Sequence, residues 1–551
     1  MKISGTIFLI SSALASIAAI DDSISTFEVL NSFRKPKNIA FSALFGGSSH
    51  SVWVLSILNE LAINRGHKAF FVTRDDQIKF GKNYPSIEVV SVGPRYHFGE
   101  EQIEIIKNIR ERPPMESFVK MFSSKGDEFE TDYLGLIENF KTKKIDLVVC
   151  DHFNSPCFEA ATTLKIPFIV TSTMALSPDA GAPYINNALI NKDEPTTLNM
   201  SLWQRFDAMF IKPIQYFYEL RHFIKKKNVI YRSLGITEPV YAPEMRWEDS
   251  LKIFNTAFGF DMARPLGPLV EFVGPIAASI APSLTPELNQ FFETHKKVAY
   301  IAFGQHAIAS THDIELLMTG LLEAYETQEL DGVIWATRGL EDIFPDQLTT
   351  QSNKTYNVQS FFENNNKKDI KFINWAPQIA ILNHPSTSFF ITHGGSGSIY
   401  ESMNAGVRVV VFPFFGDQPS SAQVAQTNGI GLKLDYKVSQ QKATEIIKTV
   451  ARDDGNYFQT NVNRFKAIVQ LNSKFGIIKA ANLMEEVLFT HQNGQLLHRR
   501  DVKRDMSFAK ANNLDLYAVT AAVALASLLM LIRLVRRAFD SYRLNQKLKT
   551  I

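Results

Sequence analysis

Short apolar runs alternate through most of the chain with longer stretches in which apolar residues return every three or four positions. The short runs are apolar at consecutive positions and predict strands buried on both faces; the longer stretches predict amphipathic helices. In the first half the pattern predicts strands at 38–45 and 67–73 around a helix from about 51 to 64, then strands at 145–151 and 167–173 around a helix ending at Leu164. In the second half it predicts strands at 298–304, 332–337, 372–375, 389–393 and 407–413, each feeding a turn and usually a helix. Such alternation predicts parallel sheets covered by helices, and it occurs twice. Gly274-Pro275-Ile276, Ala281-Pro282-Ser283 and Thr285-Pro286 interrupt it, which predicts an interdomain linker at 274–286. The expected architecture is α/β: two doubly wound domains, 20–273 and 287–470, facing across a cleft at the carboxyl ends of their strands. C-terminal helices and a stem follow at 471–513. Residues 190–245 are rich in aromatic and basic side chains and read as helical, without an evident partner. No internal repeat or low-complexity tract is visible.

The two ends differ from the body. Residues 7–14 are mostly apolar, Ser16 and Ala18 form an A-x-A-like pair, and Asp21 and Asp22 follow. This predicts a secretory signal peptide at 1–19, cleaved near Ala18 or Ala19, with an uncleaved anchor as the alternative. Near the other end LYAVTAAVALASLLMLI, residues 516–532, carries no charge. It sits at the lower limit of what crosses ~30 Å of hydrocarbon. Leu534 and Val535 extend it if Arg533 snorkels, giving a transmembrane helix at 514–535; a buried soluble helix is the alternative. Arg536, Arg537, Arg543, Lys547 and Lys549 make 536–551 a basic tail, placed in the cytosol by the positive-inside rule. Arg499, Arg500, Lys503, Arg504 and Lys510 flank the other side, but a signal peptide commits everything upstream to the lumen. The final Lys547-Leu-Lys549-Thr-Ile551 resembles a dilysine-type retrieval signal, which implies residence in the endoplasmic reticulum membrane as a single-pass type I protein. Asn199-Met-Ser and Asn353-Lys-Thr are glycosylation sequons and agree with a lumenal body.

Composition narrows the field by exclusion. The 551 residues suffice for two or three domains, and 45% hydrophobic against 21% charged residues is an ordinary globular balance. A formal net charge of +2 offers no argument for nucleic acid or another polyanion. Cys150 and Cys157 form no CxxC motif and have no metal-type partners nearby. They exclude a disulfide framework and are expected as two buried apolar thiols.

The chemistry concentrates in 372–431. The strand ending at Thr392 and His393 gives way to Gly394-Gly395, and a helix opens near Ser396. A glycine turn opening a helix presents backbone N–H groups and a positive dipole end, a cradle suited to a diphosphate. His393, Ser396 and Ser398 can add hydrogen bonds, and Glu401, on the first turns of that helix, can accept both hydroxyls of a ribose. The next strand ends at Pro413, so Gly416-Asp417-Gln418 emerge at the same sheet edge and can read sugar hydroxyls. Trp375 offers a flat face for a base. A lone Gly-Gly turn is usually only a turn and a lone Trp usually core; their convergence within one segment carries the argument.

Trp375-Ala-Pro-Gln378, His393-Gly-Gly395, Glu401, Gly406 and Gly416-Asp417-Gln418-Pro419 closely resemble the UDP-glycosyltransferase signature, the family of animal UDP-glucuronosyltransferases and plant natural-product glucosyltransferases. The resemblance implies a GT-B fold with a C-terminal transmembrane helix. It implies that Trp375 stacks on uracil and Gln378 meets the nucleoside. It further implies that His393 and the amides of Gly394, Gly395 and Ser396 hold the diphosphate, that Glu401 holds the ribose, and that Asp417 and Gln418 hold the transferred sugar. Two departures stand out. Gly397-Ser398 replaces the family's usual Asn followed by Gly or Ser, and Gly304-Gln305 replaces Gly-Ser or Gly-Thr after the strand at 298–303.

Gly46-Gly47-Ser48-Ser49-His50 resembles the family's Gly/Ser-rich loop and its catalytic histidine. At a helix start the imidazolium is disfavoured, leaving a neutral ring able to take a proton. Asp151, closing the strand at 145–151, is the expected orienter; His152 beside it is the rival, and Asp146 belongs to the opposite edge. The resulting expectation is inverting transfer of a hexose, glucose or glucuronate, from a UDP-sugar to a hydroxyl of a lipophilic small molecule or lipid. The chain has no DxD triplet, so neither a metal nor another cofactor is expected. The expected partners are the donor, the acceptor and the bilayer, with self-association left open. The alternative is an inactive UDP-sugar-binding subunit that recruits or regulates a partner enzyme. A phosphorylase would need a pyridoxal lysine site, for which there is no signal, and an epimerase would bind the same donor without an acceptor.

Overall fold

The computed structural model describes residues 35–96, 100–110, 128–186, 194–236, 244–278, 282–362 and 369–548. The signal segment 1–19, positions 279–281 of the linker and the last three residues of the basic tail lie outside these. The chain forms a body up to Leu496 and a separate C-terminal unit from Leu497.

The first half of the body contains β1 (Asn38–Ser42), α1 (Ser48–Ile63), β2 (Lys68–Thr73), β3 (Ile87–Ser91), α2 (Phe129–Thr142), β4 (Leu147–Asp151), α3 (Ser155–Leu164), β5 (Phe168–Ser172), α4 (Lys212–Ser233), β6 (Lys252–Phe254) and β7 (Val270–Phe272). Its sheet has the order β3-β2-β1-β4-β5-β6-β7 and is parallel throughout. The second half contains α5 (Pro286–Thr294), β8 (Val298–Ala302), α6 (Thr311–Glu326), β9 (Gly332–Ala336), the hairpin β10 (Gln347–Thr349) and β11 (Thr355–Asn357), β12 (Ile370–Ile373), α7 (Gln378–Leu382), β13 (Thr387–Thr392), α8 (Ser396–Ala405), β14 (Arg408–Val411), α9 (Gln418–Thr427), β15 (Gly431–Lys433), α10 (Gln440–Arg452) and α11 (Tyr457–Thr490). Its sheet runs β12-β9-β8-β13-β14-β15, again parallel. Both sheets therefore wind outward from a central strand in the same order, the doubly wound Rossmann-like arrangement.

The central strands are buried on both faces. Ile39 and Phe41 of β1 enter one hydrophobic core while Ala40 enters another on the opposite face. Helix starts follow local chemistry. Ser310 and Asp313 form a capping box at α6, and the Asn154 side chain accepts from the Cys157 N–H at α3.

Helix α11 ties the halves together. Val462, Phe465 and Val469 pack in the second half, whereas Ala480, Met484 and Val487 complete a core of the first. Glu485 accepts from Arg65 at 2.6 Å and lies 3.1 Å from His67 Nε2. Position 470, where the sequence pattern ends the second domain, falls inside this helix. A second tie is Arg110, which reaches Asp313 at 2.7 Å and lies 3.9 Å over the Phe414 ring.

The expectation of two buried thiols is corrected. Cys150 and Cys157 form a disulfide, with Cα atoms 5.8 Å apart. The turn between β4 and α3 brings them into the range a disulfide requires. It pins the strand end that carries Asp151 to the following helix.

The aromatic and basic stretch is irregular over 194–201 and helical from Leu202: a turn at Leu202–Phe206, a π-helical turn at Asp207–Ile211, then α4. In the C-terminal unit, α12 (Leu514–Leu548) is the one described helix long and apolar enough to cross a membrane; the most apolar 18-residue stretch within Leu514–Gln546 has a mean hydropathy of 2.3.

Candidate active site

Each sheet reverses its strand order beside its central strand, between β1 and β4 and between β8 and β13. Loops leaving such neighbours diverge and open a crevice at their carboxyl ends. The two crevices line one cavity of about 560 Å³.

On the first sheet, the loop after β1 delivers His50 in the opening turn of α1, and β4 ends at Asp151. His50 Nδ1 lies 2.7 Å from Asp151 Oδ2, while Asp151 Oδ1 accepts from the Phe153 N–H at 3.0 Å. Burial raises the pKa of this carboxyl, but His50 and His152 more than reverse that and hold it well below the usual carboxylate range. The His50 ring stacks on His152 and Phe153, with centroids 5.4 and 5.3 Å away. His152 Nδ1 is 3.6 Å from Asp151 Oδ2, too far for a hydrogen bond, so Asp151 is engaged with His50 rather than its neighbour. Asp146 sits at the opposite edge, accepting from the Asn38 N–H. Among the described residues, His50, Asp151 and His152 bring three metal-type donors within 4.8 Å of one another. Two of the three residues are already joined by the 2.7 Å bond.

On the second sheet, β13 delivers His393 and Gly394-Gly395 to the start of α8, where no side chain caps the helix. A Cβ on Gly395 would approach His393 Nε2 to 2.4 Å, so only glycine lets the turn close on that ring. His393 is pushed down to about 4 by burial, then by His306 and Arg338, which makes it a neutral ring at working pH. Its Nδ1 has no hydrogen-bonding partner within the described protein. Five residues into α8, Glu401 is half-buried, and desolvation raises it to about 7; the Gln378 amide, donating to Glu401 Oε2 at 2.6 Å, opposes the rise. Gln378 also donates to Ser398 Oγ at 3.2 Å. Trp375, 70% exposed, stands in the loop after β12 at the cavity edge. Asp417 is half-buried, desolvation raises its pKa, and its Oδ2 accepts from Ser396 Oγ at 3.2 Å. Gln418 lines the cavity as well, but its Oε1 is engaged by the Phe414 and Phe415 N–H groups.

The departure at Gly397 has a local cause. A Cβ at Gly397 would stand 3.3 Å from Ser49 Cβ, so a long side chain there would meet the loop carrying His50. Gln305 and Gly304 line the cavity, and Arg338 anchors their loop by donating to the Gln305 and Ala307 carbonyls. Asn199 and Asn353 lie on the surface, away from this cavity's lining.

Residues 46–547 match the family described as UDP-glucoronosyl and UDP-glucosyl transferase. The chain belongs to that family. Among its relatives, "UDP-glycosyltransferase FPY2" of Fusarium mangiferae is 28% identical over 489 residues, covering 85% of this chain and 87% of that one. "UDP-glucuronosyltransferase 2B9" of Macaca fascicularis is 23% identical over 497 residues, with the same coverage. The solved structure of UDP-glucose: anthocyanidin 3-O-glucosyltransferase in complex with UDP covers 82% of this chain and all of its own, with a TM-score of 0.56 at 18% identity. The fold is GT-B, and the protein is a UDP-glycosyltransferase, an enzyme that transfers a sugar from a UDP-sugar to an acceptor.

For this UDP-glycosyltransferase the geometry adds residues that the sequence pattern did not single out. Tyr300 looks like strand core but its hydroxyl donates to Gln378 Oε1 at 3.3 Å, holding the amide that meets Glu401. His306 and Arg338 line the cavity and act electrostatically on His393. Neither stands in a motif of its own.

Proposed function

We propose that this UDP-glycosyltransferase inverts the anomeric carbon of a UDP-hexose, glucose or glucuronate, while transferring it to a hydroxyl of a lipophilic acceptor. The observation that carries the proposal is the 2.7 Å His50–Asp151 contact in the same cavity as the α8 N-terminus. Asp151 accepts from Nδ1–H, which fixes the tautomer with its lone pair on Nε2. The acceptor hydroxyl gives its proton to Nε2 as its oxygen bonds to the anomeric carbon. The bond from that carbon to the UDP oxygen breaks, and the electron pair leaves with UDP. The imidazolium formed is balanced by Asp151.

In this reading the first domain binds the acceptor and the second the donor. Trp375 stacks on uracil, Gln378 supports the nucleoside, Glu401 takes the ribose hydroxyls, and Asp417 and Gln418 face the sugar. His393 with the first amides of α8 takes the diphosphate, aided by Gly304 and Gln305. The helix dipole and these donors meet the charge without a DxD-held metal. Phe45, Trp53, Phe80, Tyr84, Ile106 and Met174 line the cavity and favour a lipophilic acceptor. Product analysis decides the stereochemistry: an α-linked donor is expected to give a β-glycoside by NMR of the anomeric proton. An α-glycoside would overturn the single-displacement reading. A panel of UDP-glucose, UDP-glucuronate, UDP-galactose and UDP-N-acetylglucosamine identifies the sugar.

We also place the body in the lumen of the endoplasmic reticulum, anchored by α12 with its basic tail cytosolic. The Cys150–Cys157 disulfide suits that oxidising compartment, and both sequons are exposed. Endoglycosidase treatment is expected to shift the wild-type band, and Asn199→Gln with Asn353→Gln is expected to remove the shift. A wild-type chain that never shifts, although expressed in a secretory host, counts against lumenal placement.

A further inference from the structure

The stretch around α4 is not used by the transfer reaction. Its C-terminal half is anchored, with Ile224, Asn228 and Tyr231 buried against the first domain. Its N-terminal half is different: none of residues 202–218 is buried. Trp203, Phe206, Phe210, Ile214 and Phe217 recur at intervals of three and four, forming one apolar stripe. Trp203 is 69% exposed, Ile214 67% and Phe217 56%. The Trp203 and Phe206 rings lie 5.6 Å apart and Phe206 and Phe210 5.2 Å, so the rings touch each other rather than a core. Scattered surface apolar residues are ordinary, but a continuous aromatic stripe marks an interaction surface.

Charge indicates the occupant. Along 205–232 the sequence carries the bases Arg205, Lys212, Arg221, Lys225, Lys226, Lys227 and Arg232 against two acids, Asp207 and Glu219; Lys212 lies 3.8 Å from Asp207, and Lys227 acts on Glu159 of the first domain. An exposed aromatic stripe with Trp, on a helix whose remaining charge is basic, has the composition of a helix lying in a bilayer interface. The chain also carries its own candidate span, α12, joined to the body through residues 497–513, so a bilayer is within reach of one linker. We propose that the projecting half of this helix is a second membrane contact, seating its aromatic stripe at the headgroup level of an anionic leaflet. This proposal is independent of the transfer mechanism.

The test separates this contact from α12. Every core cluster of the body lies at or before Leu496, so a chain ending there keeps its own core. That body is expected to co-float with phosphatidylcholine vesicles containing about 30% phosphatidylserine and to float less with phosphatidylcholine alone, since each base near an anionic surface adds about fivefold. Trp203→Ser with Phe206→Ser and Phe210→Ser is expected to cut flotation roughly tenfold or more, with an unchanged thermal unfolding midpoint. A wild-type body that floats with neither vesicle overturns the proposal. So does a triple variant that floats equally well, or a vesicle-free dimer that the triple variant dissolves, which would make a second copy the occupant.

Discussion

Replacing His50 with alanine is expected to lower kcat by about 10²–10⁴-fold, the range of a positioned general base, with UDP-sugar affinity unchanged. The two readouts separate because His50 belongs to the first sheet and the donor cradle to the second. An aglycone hydroxyl is a poor nucleophile until its proton leaves, so loss of Nε2 strikes the chemical step alone. Asp151→Asn tests the other half of the pair. The carboxamide keeps the size but cannot balance an imidazolium, and its NH₂ can reverse the favoured tautomer. A fall of similar scale is expected, and the double variant is expected to be no slower than His50→Ala alone, since two residues acting as one unit do not add. Turnover by His50→Ala at the wild-type rate sinks the base assignment; additive losses would mean that Asp151 acts through another group. Stopped assays with radiolabelled donor give the rates, and titration calorimetry gives the affinity.

Asp151 was legible because it closes a continuous apolar run, whereas His50 was reached through the Gly/Ser-rich loop that follows one. A buried parallel strand has to be apolar at successive positions, so its end, and the polar residue there, can be read from the sequence. The same reasoning fails at the sheet margins. β3 is Ile87-Glu-Val-Val-Ser, half-buried and mixed in pattern, and β15 has a single buried residue. β6 opens on Lys252, a buried charge whose Nζ lies 2.8 Å from Asp179, which interrupts any apolar run. The strand expected at 372–375 pairs instead at Ile370–Ile373, so Trp375 stands free of the sheet.

Within the cavity, sequence spacing located side chains but not what their atoms are committed to. Gln418 was expected to read sugar hydroxyls, and half of its amide is spent on the backbone of Phe414 and Phe415. Tyr300 shows the reverse, a core-patterned residue whose one polar atom reaches the site. The disulfide was illegible for a topological reason. Two cysteines seven positions apart come together only because Asn154 caps α3 immediately after β4, folding the chain back within one turn.

Glu401→Ala is expected to weaken UDP-sugar binding about 10²-fold near pH 8, the scale of losing hydrogen bonds to a charged acceptor. The wild-type enzyme should show a matching pH dependence. Burial raises the Glu401 carboxyl to about 7, and the ribose hydroxyls bind its ionised form, so the donor pulls that pKa back down. Below about pH 7 the free enzyme holds a proton that binding must expel, and affinity should fall by up to about tenfold per pH unit. Above that pH the carboxylate is already ionised and affinity should level off. His393, at about 4, does not titrate in this window, and the diphosphate of a UDP-sugar, esterified at both ends, lacks the phosphate pKa near 6. Donor affinity measured between pH 6 and 8, compared with that of a Glu401→Gln variant, therefore reads out Glu401. Glu401→Gln should flatten the profile at its weak end, because the amide can accept one hydroxyl but carries no charge to titrate. A wild-type profile that stays level through pH 7, or a Gln variant that keeps the wild-type slope, would remove Glu401 from the ribose.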